Sequence, residues 1–235
     1  MDSFNFTSIG VISSCYKEKF GIPRQPNLVD SAQAELILNQ AFAEESVRGL
    51  EGFSHIWISF VFHATQTQGW KPMVRPPRLG GDEKVGVFAS RSTFRPNPLG
   101  LSVVELKGIV YKKSSVILTL AGCDLMDGTP ILDIKPYLPY ADAIPNAKGG
   151  FANSCPDVKW VVEFTEKAKN DSLQASERLG QDIKLLVQQI LQLDPRPSYQ
   201  QGSNSERVYS MKLCDFDLKW IYCDDNKIKV LELLS

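Results

Sequence analysis

The sequence predicts a mainly β protein, in which an antiparallel β-barrel is followed by a small α+β domain. Up to about residue 140, runs rich in β-branched and aromatic residues are separated by connections rich in glycine and proline. These runs lack the alternation of strand and helix that a doubly wound fold requires, so a closed or nearly closed barrel fits best. A helical pattern of apolar residues occurs only beyond residue 158. We therefore expect a barrel domain at residues 1–150 and a second domain at residues 158–235.

The barrel strands are predicted from their composition and from the turns between them. Residues 65–84 are expected to form a long loop, because their prolines and glycines disfavour a strand. Asp127, Gly128 and Thr129 have the composition of a hairpin turn. The predicted strands are residues 5–14, 34–39, 53–63, 85–90, 101–111, 115–125 and 130–138.

The second domain is predicted to contain one strand, an interrupted helix and three closing strands. Residues 158–165 form the first strand, and residues 166–193 form a helix with a break at Gly180. The sequence DPRPSY at 194–199 ends the helix, because its prolines cannot continue it. The second half of the helix has one apolar face, made of Ile183, Leu186, Val187, Ile190 and Leu191. The closing strands are residues 207–213, 217–224 and 227–234.

Composition argues against several classes of protein. The 235 residues have a net charge of −1, which gives no overall attraction to nucleic acid or to an anionic membrane. Five cysteines, with no CxxC pair, argue against a disulfide framework and against a zinc knuckle. No signal-peptide pattern begins the chain, and the apolar window HIWISFVFHA is too short to span a bilayer. We expect a cytoplasmic protein with reduced thiols, no membrane segment and no metal.

The motif SRSTFRPNPLG places Arg91 and Arg95 in a segment that its prolines prevent from forming a helix. It belongs to a basic stretch, residues 71–96, in which six basic side chains are opposed only by Asp82 and Glu83. Such a charge run is commonly a solvated loop. The prolines stiffen this one, however, and so reduce the entropy that is lost when a ligand is held. A rigid arginine pair for a carboxylate or phosphate is therefore favoured.

Other polar residues stand at positions where sites often form. His63 ends a predicted strand, and Arg24 and Gln25 lie between two prolines in GIPRQPN. Asp133 interrupts an apolar strand, where a carboxylate is costly unless it is paired or functional. Lys135, on the same strand face, is an equally good structural explanation for Asp133. No phosphate-binding loop, dinucleotide fingerprint, serine-hydrolase elbow or metal-ligand spacing occurs.

Six motifs, in this order and at these spacings, resemble the TrmO family of tRNA methyltransferases over nearly the whole chain. They are IPRQP, SHIWISFVFH, RPPRLGG, GVFASRSTFRPNPLGLS, DLMDGTPILDIKPYLP and DPRPSY. The resemblance implies a barrel that binds S-adenosylmethionine, a small C-terminal domain that contacts the tRNA anticodon loop, and a homodimer. It also implies the reaction, which is methylation of N6 of N6-threonylcarbamoyladenosine at position 37 of threonine tRNA.

The resemblance further implies which residues of this chain form the site. It places tRNA at the arginine motif and at DPRPSY, with the expected contacts Arg95, Asn97, Asp194, Arg196 and Tyr199. The expected cofactor contacts are Pro23, Arg24, Gln25, His63, Ala64, Arg91, Leu101, Ile131, Leu132, Asp133 and Ile134.

The identity of the proton acceptor stays open at this point. His63 and Asp133 are candidates, and water is a third, because the carbonyl beside N6 makes its proton more acidic than in adenine. A non-enzymatic S-adenosylmethionine-binding sensor or partner module is the alternative function, although it would need neither DPRPSY nor a second domain. A hydrolase of a small phosphate or carboxylate ranks last, because no nucleophile or metal motif is visible.

Overall fold

The computed structural model describes residues 2–42, 44–113, 115–158, 160–196, 207–223 and 226–235. Its N-terminal part contains eight strands, six of which close into an antiparallel barrel in the order β1–β2–β7–β6–β3–β8. In chain order, the strands are β1 Gly10–Ser14, β2 Gln33–Leu38, β3 His55–Val61, β4 Met73–Val74, β5 Val85–Gly86, β6 Leu99–Lys112, β7 Ser115–Ala121 and β8 Pro130–Pro136.

The barrel is held together by an apolar core and by the pairing of β8 with β1, which leaves no open edge. Residues alternate between the core and the outer face along β3, so that Ile56, Ile58 and Phe60 are buried while their neighbours are half-buried. A closed barrel with an interior filled by side chains explains the strong β-branched composition. The other core side chains include Ile12, Leu36, Val104, Leu118, Leu120 and Ile131.

Several of the predicted strands extend beyond the observed ones, including the strand expected at 115–125, which ends at Ala121. The first begins only at Gly10, so residues 5–9 lie outside the barrel ladder. The predicted strand 85–90 is reduced to the two residues of β5, which pair with β4 and continue as a single 3-10 turn, Val87–Ala89. Arg95 donates hydrogen bonds to the carbonyl oxygens of Val87 and Ser90 (3.2 and 2.8 Å), so a side chain satisfies groups that a ladder would otherwise bond.

The C-terminal part is a four-stranded sheet, in the order β10–β11–β12–β9, with two helices packed on it. Thr165 and Asp182 cap the two helices by accepting hydrogen bonds from the amides of Ala168 and Leu185. The expected break falls at Gly180, which adopts the left-handed conformation (φ 67°). The elements of this part are β9 Val161–Phe164, α2 Glu166–Leu179, α3 Ile183–Gln192, β10 Tyr209–Leu213, β11 Phe216–Cys223 and β12 Lys227–Leu234, and the short helix α1 Pro139–Asp142 precedes it.

The segment that follows β1 joins the two parts. Tyr16 is buried in the C-terminal core and forms an isolated bridge with Leu213, and the amide of Cys214 donates to the carbonyl of Cys15 at 2.7 Å. Further along, the side chain of Gln189 on α3 accepts from the hydroxyl of Ser31 at 2.6 Å. The barrel and the C-terminal sheet therefore pack through residues 15–32. Within the described ranges, no helix has both the length and the apolarity needed to cross a membrane.

Candidate functional site

A cleft of about 720 Å³ opens on the outer side of the barrel. This volume lies in the range of sites that hold a drug-sized ligand. Its walls come from four places: the ends of β3 and β6, the loop at residues 22–26, the arginine motif, and the turn that precedes β8. The predicted site residues that line it are Pro23, Arg24, Gln25, His63, Ala64, Arg91, Arg95 and Leu101.

The loop at residues 22–26 is fixed from two sides. Gly21 has a φ of 89°, and a Cβ there would lie 2.5 Å from Sδ of Met211 on β10, so this position requires glycine. On the barrel side, the amide of Asn27 donates to the carbonyl of Gly122 (2.9 Å), and its side chain donates to the carbonyl of Val103 (3.2 Å). The C-terminal domain therefore supports a loop that lines the cleft of the barrel domain.

Arg91 and the IPRQP loop meet directly. The guanidinium of Arg91 donates to Oε1 of Gln25, and Nε2 of Gln25 donates to the carbonyl of Arg24. No carboxylate within the described ranges forms a salt bridge with Arg91. Partial burial lowers the pKa of Arg24, and the charge of Asp194 opposes that shift. The DPRPSY motif thus begins near the loop at residues 22–26.

Arg95 differs from Arg91 in what it binds. It lines the cleft, yet it donates to the carbonyl oxygens of Val87 and Ser90, and its guanidinium lies 5.6 Å from the centre of the Phe88 ring. These contacts make Arg95 a brace of the arginine motif as well as a cation at the cleft. Asn97 is exposed on the same motif and lies outside the cleft lining.

The end of β3 supplies His63 and Ala64. Both begin a 3-10 turn, His63–Gln68, and both are half-buried at the cleft wall. The neighbouring wall is tight, because a Cβ on Gly100 would lie 2.2 Å from the ring of Phe60. The end of β3 thus lies at the cleft wall, as expected, with Gly100 and the ring of Phe60 packed closely beside it.

Asp124 is the one carboxylate among the described residues that line the cleft, and the sequence did not single it out. The hydroxyl of Ser102 donates to its Oδ1 at 2.8 Å. Burial raises the pKa of Asp124 to about 6, while the bond from Ser102 and the charge of Arg91 act in the opposite direction. The sequence signal that could have identified Asp124 is its position between two apolar residues, Cys123 and Leu125, which are both buried in the barrel.

The predicted segment Ile131–Ile134 lies on β8, outside the cleft lining of a single chain. Ile131 is buried in the barrel core, and Asp133 forms an exposed ion pair with Lys135 (2.5 Å). Register places Asp133 opposite Ser59, and Ser59 opposite Leu101 of the cleft wall. Asp133 thus lies two strands away from Leu101 on the same outer face, about 10 Å along the sheet.

Arg196, an expected tRNA contact, is buried in this structure, where its side chain is 2% exposed. It donates two hydrogen bonds to the carboxylate of Asp194 (both 2.9 Å) and packs between Tyr222 and Trp160, with its guanidinium 3.4 and 5.0 Å from their ring centres. Burial lowers its pKa, but the bonds and charge of Asp194 outweigh that effect and raise it. Tyr199 lies outside the described residues.

The cleft has the chemistry of a site for an anionic or zwitterionic ligand. Four cations line it against the single carboxylate of Asp124. Apolar and aromatic side chains such as Phe60 and Leu101 form the remaining walls. In the part of the chain that the structure covers, no group of three or more histidine, cysteine or acidic residues could hold a metal ion. The cations that line the cleft are Lys19, Arg24, Arg91 and Arg95.

Comparison with known proteins agrees with the resemblance in the motifs. Residues 11–143 match the family model of the tRNA-methyltransferase O N-terminal domain, and residues 157–235 match the TrmO C-terminal domain. A tRNA (adenine(37)-N6)-methyltransferase of Escherichia coli K12 is 52% identical over 228 residues, which is 95% of each chain. A putative S-adenosylmethionine-dependent methyltransferase, RcsF, of Pseudomonas aeruginosa PAO1 is 45% identical and covers 96% of this chain and 95% of its own.

Solved structures extend the match to three dimensions. A crystal structure of TrmO is 40% identical and superposes with a TM-score of 0.83 over the whole of both chains. The crystal structure of TrmO from Pseudomonas aeruginosa gives the same TM-score at 38% identity, over 100% of this chain and 99% of that one. Family models cover both parts of the sequence, and the fold agrees over the full length. This chain therefore belongs to the TrmO family.

Proposed function

We propose that this protein transfers the methyl group of S-adenosylmethionine to N6 of N6-threonylcarbamoyladenosine at position 37 of threonine tRNA. The name of the Escherichia coli relative supports methylation of N6 of adenine 37, and its match spans almost the whole of both chains. The observation that carries the proposal is the cleft itself, where a proline-braced arginine projects from the motif SRSTFRPNPLG toward the IPRQP loop.

The residues of the cleft suit the cofactor. Arg91 is bonded to a neutral amide, so its charge is suited to the carboxylate of the methionine part. Pro23, Gln25 and the wall around Leu101 offer backbone, amide and apolar groups of the kind that recognise a nucleoside. When bound there, the cofactor supplies an activated methyl group, and the protein mainly has to align donor and acceptor. Alignment of this kind is worth roughly 7–11 kcal/mol in favourable cases.

The arginine motif and the basic stretch that precedes it together have the composition of an RNA-binding surface. Phe88 and Trp70 are 75% and 56% exposed, and Lys71 lies 4.2 Å from the centre of the Phe94 ring. Proteins bind single-stranded loops by stacking the bases on exposed aromatic rings and by attracting the phosphates with nearby cations. We propose that the anticodon loop approaches this surface, where Arg95 and Asn97 contact it, with the barrel domain 1–150 holding the cofactor.

The C-terminal domain, residues 158–235, has two roles in this proposal. It supports the loop at residues 22–26 through Met211, and we propose that its DPRPSY motif contributes contacts with tRNA. Because Arg196 is buried, we assign it to holding Asp194 and the start of the motif in place, while Tyr199 remains the expected contact with tRNA.

We further propose that the protein is a homodimer and acts in the cytoplasm, where its tRNA substrate is modified. Leu99 and Leu101 point outward beside the cleft and are 42% and 54% exposed, so a second copy would cover apolar surface there. Residues 131–134 lie on the same outer face, two strands away. Sedimentation of the purified protein tests this assignment, and a monomer at micromolar concentration contradicts it.

Methyl transfer from labelled cofactor to tRNA tests the function. tRNA from cells that make the threonylcarbamoyl modification should accept the label, and tRNA from cells that lack it should not. The alternative, a sensor that binds S-adenosylmethionine without chemistry, predicts cofactor binding in calorimetry with no label on either tRNA. Label on both tRNAs would keep the methyltransferase assignment and overturn the modified base as its substrate.

A further inference from the structure

Asp124 is a charged side chain in the cleft to which no role is yet assigned. It lines the cleft where β7 turns toward β8, and it is flanked by two buried residues, Cys123 and Leu125. Ser102 on β6 donates to Oδ1, and no other side chain among the described residues donates a hydrogen bond to this carboxylate. Its second oxygen, Oδ2, is therefore left with capacity to take a proton.

Four neighbouring side chains interact with Asp124, and one of these side chains is charged at neutral pH. The phenol of Tyr16 and the thiol of Cys123 both lie near enough to interact with it, but burial raises the pKa of each, that of Cys123 to about 12. Both are therefore uncharged neighbours. Arg91, on the arginine motif, is the positive charge that lowers the pKa of Asp124, and Ser102 acts in the same direction.

We propose that Asp124 is the general base of the reaction and accepts the proton of N6 from the modified adenine. This inference rests on the proposed function. As N6 forms its bond to the methyl carbon, the bond between that carbon and sulfur breaks, and its electron pair stays on sulfur as a neutral thioether. The N6 proton passes to Oδ2 of Asp124, which later releases it to water.

The geometry favours Asp124 as the general base over Asp133 and His63, the two side chains that the sequence offered for this role. Asp133 already forms an ion pair with Lys135 at 2.5 Å and lies on the outer face, two strands from Leu101. His63 is half-buried at the cleft wall, in the region expected to hold the cofactor. Asp124 lies within the cleft and is ionised at neutral pH, since burial raises its pKa only to about 6. A base in that range combines the correct protonation state with useful basicity.

The test is single-turnover methylation of threonylcarbamoylated tRNA, at saturating cofactor, as a function of pH. In the unmodified protein the rate should rise with pH through about 6, because the ionised carboxylate is the active form. Asp124→Asn should lose this acid limb and slow methylation by roughly 10²–10⁴-fold, which is the usual contribution of a general base. Its cofactor Kd should change by less than about threefold, since the base contacts the acceptor.

Two further variants keep the test independent of folding. Ser102→Ala removes a hydrogen bond that lowers the pKa of Asp124, so the acid limb should move to higher pH with the rate above it retained. Glu105→Gln is the matched control: Glu105 is on the same strand, exposed and paired with Lys107, and its pH profile should equal that of the unmodified protein.

Two results would overturn the inference. One is an Asp124→Asn protein that keeps both the rate and the acid limb. The other is a loss of cofactor affinity as large as the loss of rate, which would make Asp124 a cofactor ligand. If the unmodified protein methylates no tRNA at all, the proposed function fails instead, so the two failures are distinguishable.

Discussion

The molecule uses charged side chains in two different ways. One is seen in the Asp194–Arg196 pair of the C-terminal domain, and the other in the charged groups of the cleft. Arg196 is buried, bonded twice to a carboxylate and packed between two rings, so its charge is fully compensated inside the fold. Arg91 is exposed at the cleft and bonds to a neutral glutamine. Asp124 is half-buried, and among the described side chains only the hydroxyl of Ser102 donates a hydrogen bond to its carboxylate. We infer that a charge paired within the fold is structural, whereas a charge without a salt-bridge partner at a cleft is available to a ligand.

The largest expected effect is on the compensated pair. Arg196→Ala leaves the carboxylate of Asp194, which is 12% exposed, without its cation inside the domain. Loss of one partner of a buried pair costs about 3–5 kcal/mol, so the free energy of unfolding should fall by that amount in urea denaturation. The double variant Asp194→Asn with Arg196→Met removes both charges and should recover much of the loss. Equal destabilisation by the single and double variants would show that the ion pair is not what matters.

The cleft carboxylate should behave in the opposite way. Its pKa is raised in the folded protein, so the protonated form is favoured on folding, and stability is lost as pH rises from about 4 to about 6. Asp124→Asn removes that loss and should stabilise the protein at pH 7 by at most about 3 kcal/mol. At pH 3.5 the two proteins should unfold at nearly the same temperature. A variant that is less stable at pH 7 would show that the carboxylate contributes to the fold.

Arg91 should affect binding and leave the fold unchanged. Arg91→Ala should weaken the binding of S-adenosylmethionine by about 1.5–3 kcal/mol, which is the range for a hydrogen bond to a charged group. This loss corresponds to an increase in Kd of roughly 10–150-fold. Unfolding free energy should change by less than about 0.5 kcal/mol, as for other exposed side chains. Arg48, exposed and outside the cleft lining, is the control for removal of a positive charge. An unchanged Kd in calorimetry would place the cofactor elsewhere.

The smallest expected effect is on the surface pair of β8. Both Asp133 and Lys135 are more than half exposed, and exposed pairs of this kind contribute about 0–1 kcal/mol. Asp133→Asn should therefore leave the thermal unfolding temperature almost unchanged, while Lys135→Ala gives the effect of the pair without loss of the acid. A weaker cofactor Kd in Asp133→Asn alone would support the expected contact of Asp133 with cofactor across the outer face.

The sequence was informative wherever local chemistry decides the structure. The β-branched runs, the break at Gly180 and the Asp127–Gly128 turn all follow from residue preferences that hold in isolation. The strand predicted at 85–90 failed because Arg95, several residues away, bonds the carbonyl groups of Val87 and Ser90. A side chain that satisfies backbone groups at a distance cannot be read from a local pattern.

The candidate site was predictable in part for the same reason. IPRQP and the arginine motif contain charge and proline in short segments, which are visible along the chain. No sequence pattern distinguished Asp124, and only the tertiary packing shows that it faces a cleft beside Ser102. The sequence also did not show that Arg196 is buried between Tyr222 and Trp160, because both rings are far from it along the chain.

The contact between Gly21 and Met211 has a consequence for synthesis. The loop that lines the cleft leaves the ribosome early, whereas β10, which supports it from behind, is among the last segments to be translated. A nascent or truncated chain thus carries a loop that is anchored only from the barrel side, through Asn27, and the proposed tight binding of the methyl donor would be confined to complete molecules. Because a ligand stabilises only the form that binds it, abundant donor would protect complete copies and leave truncated ones to proteolysis.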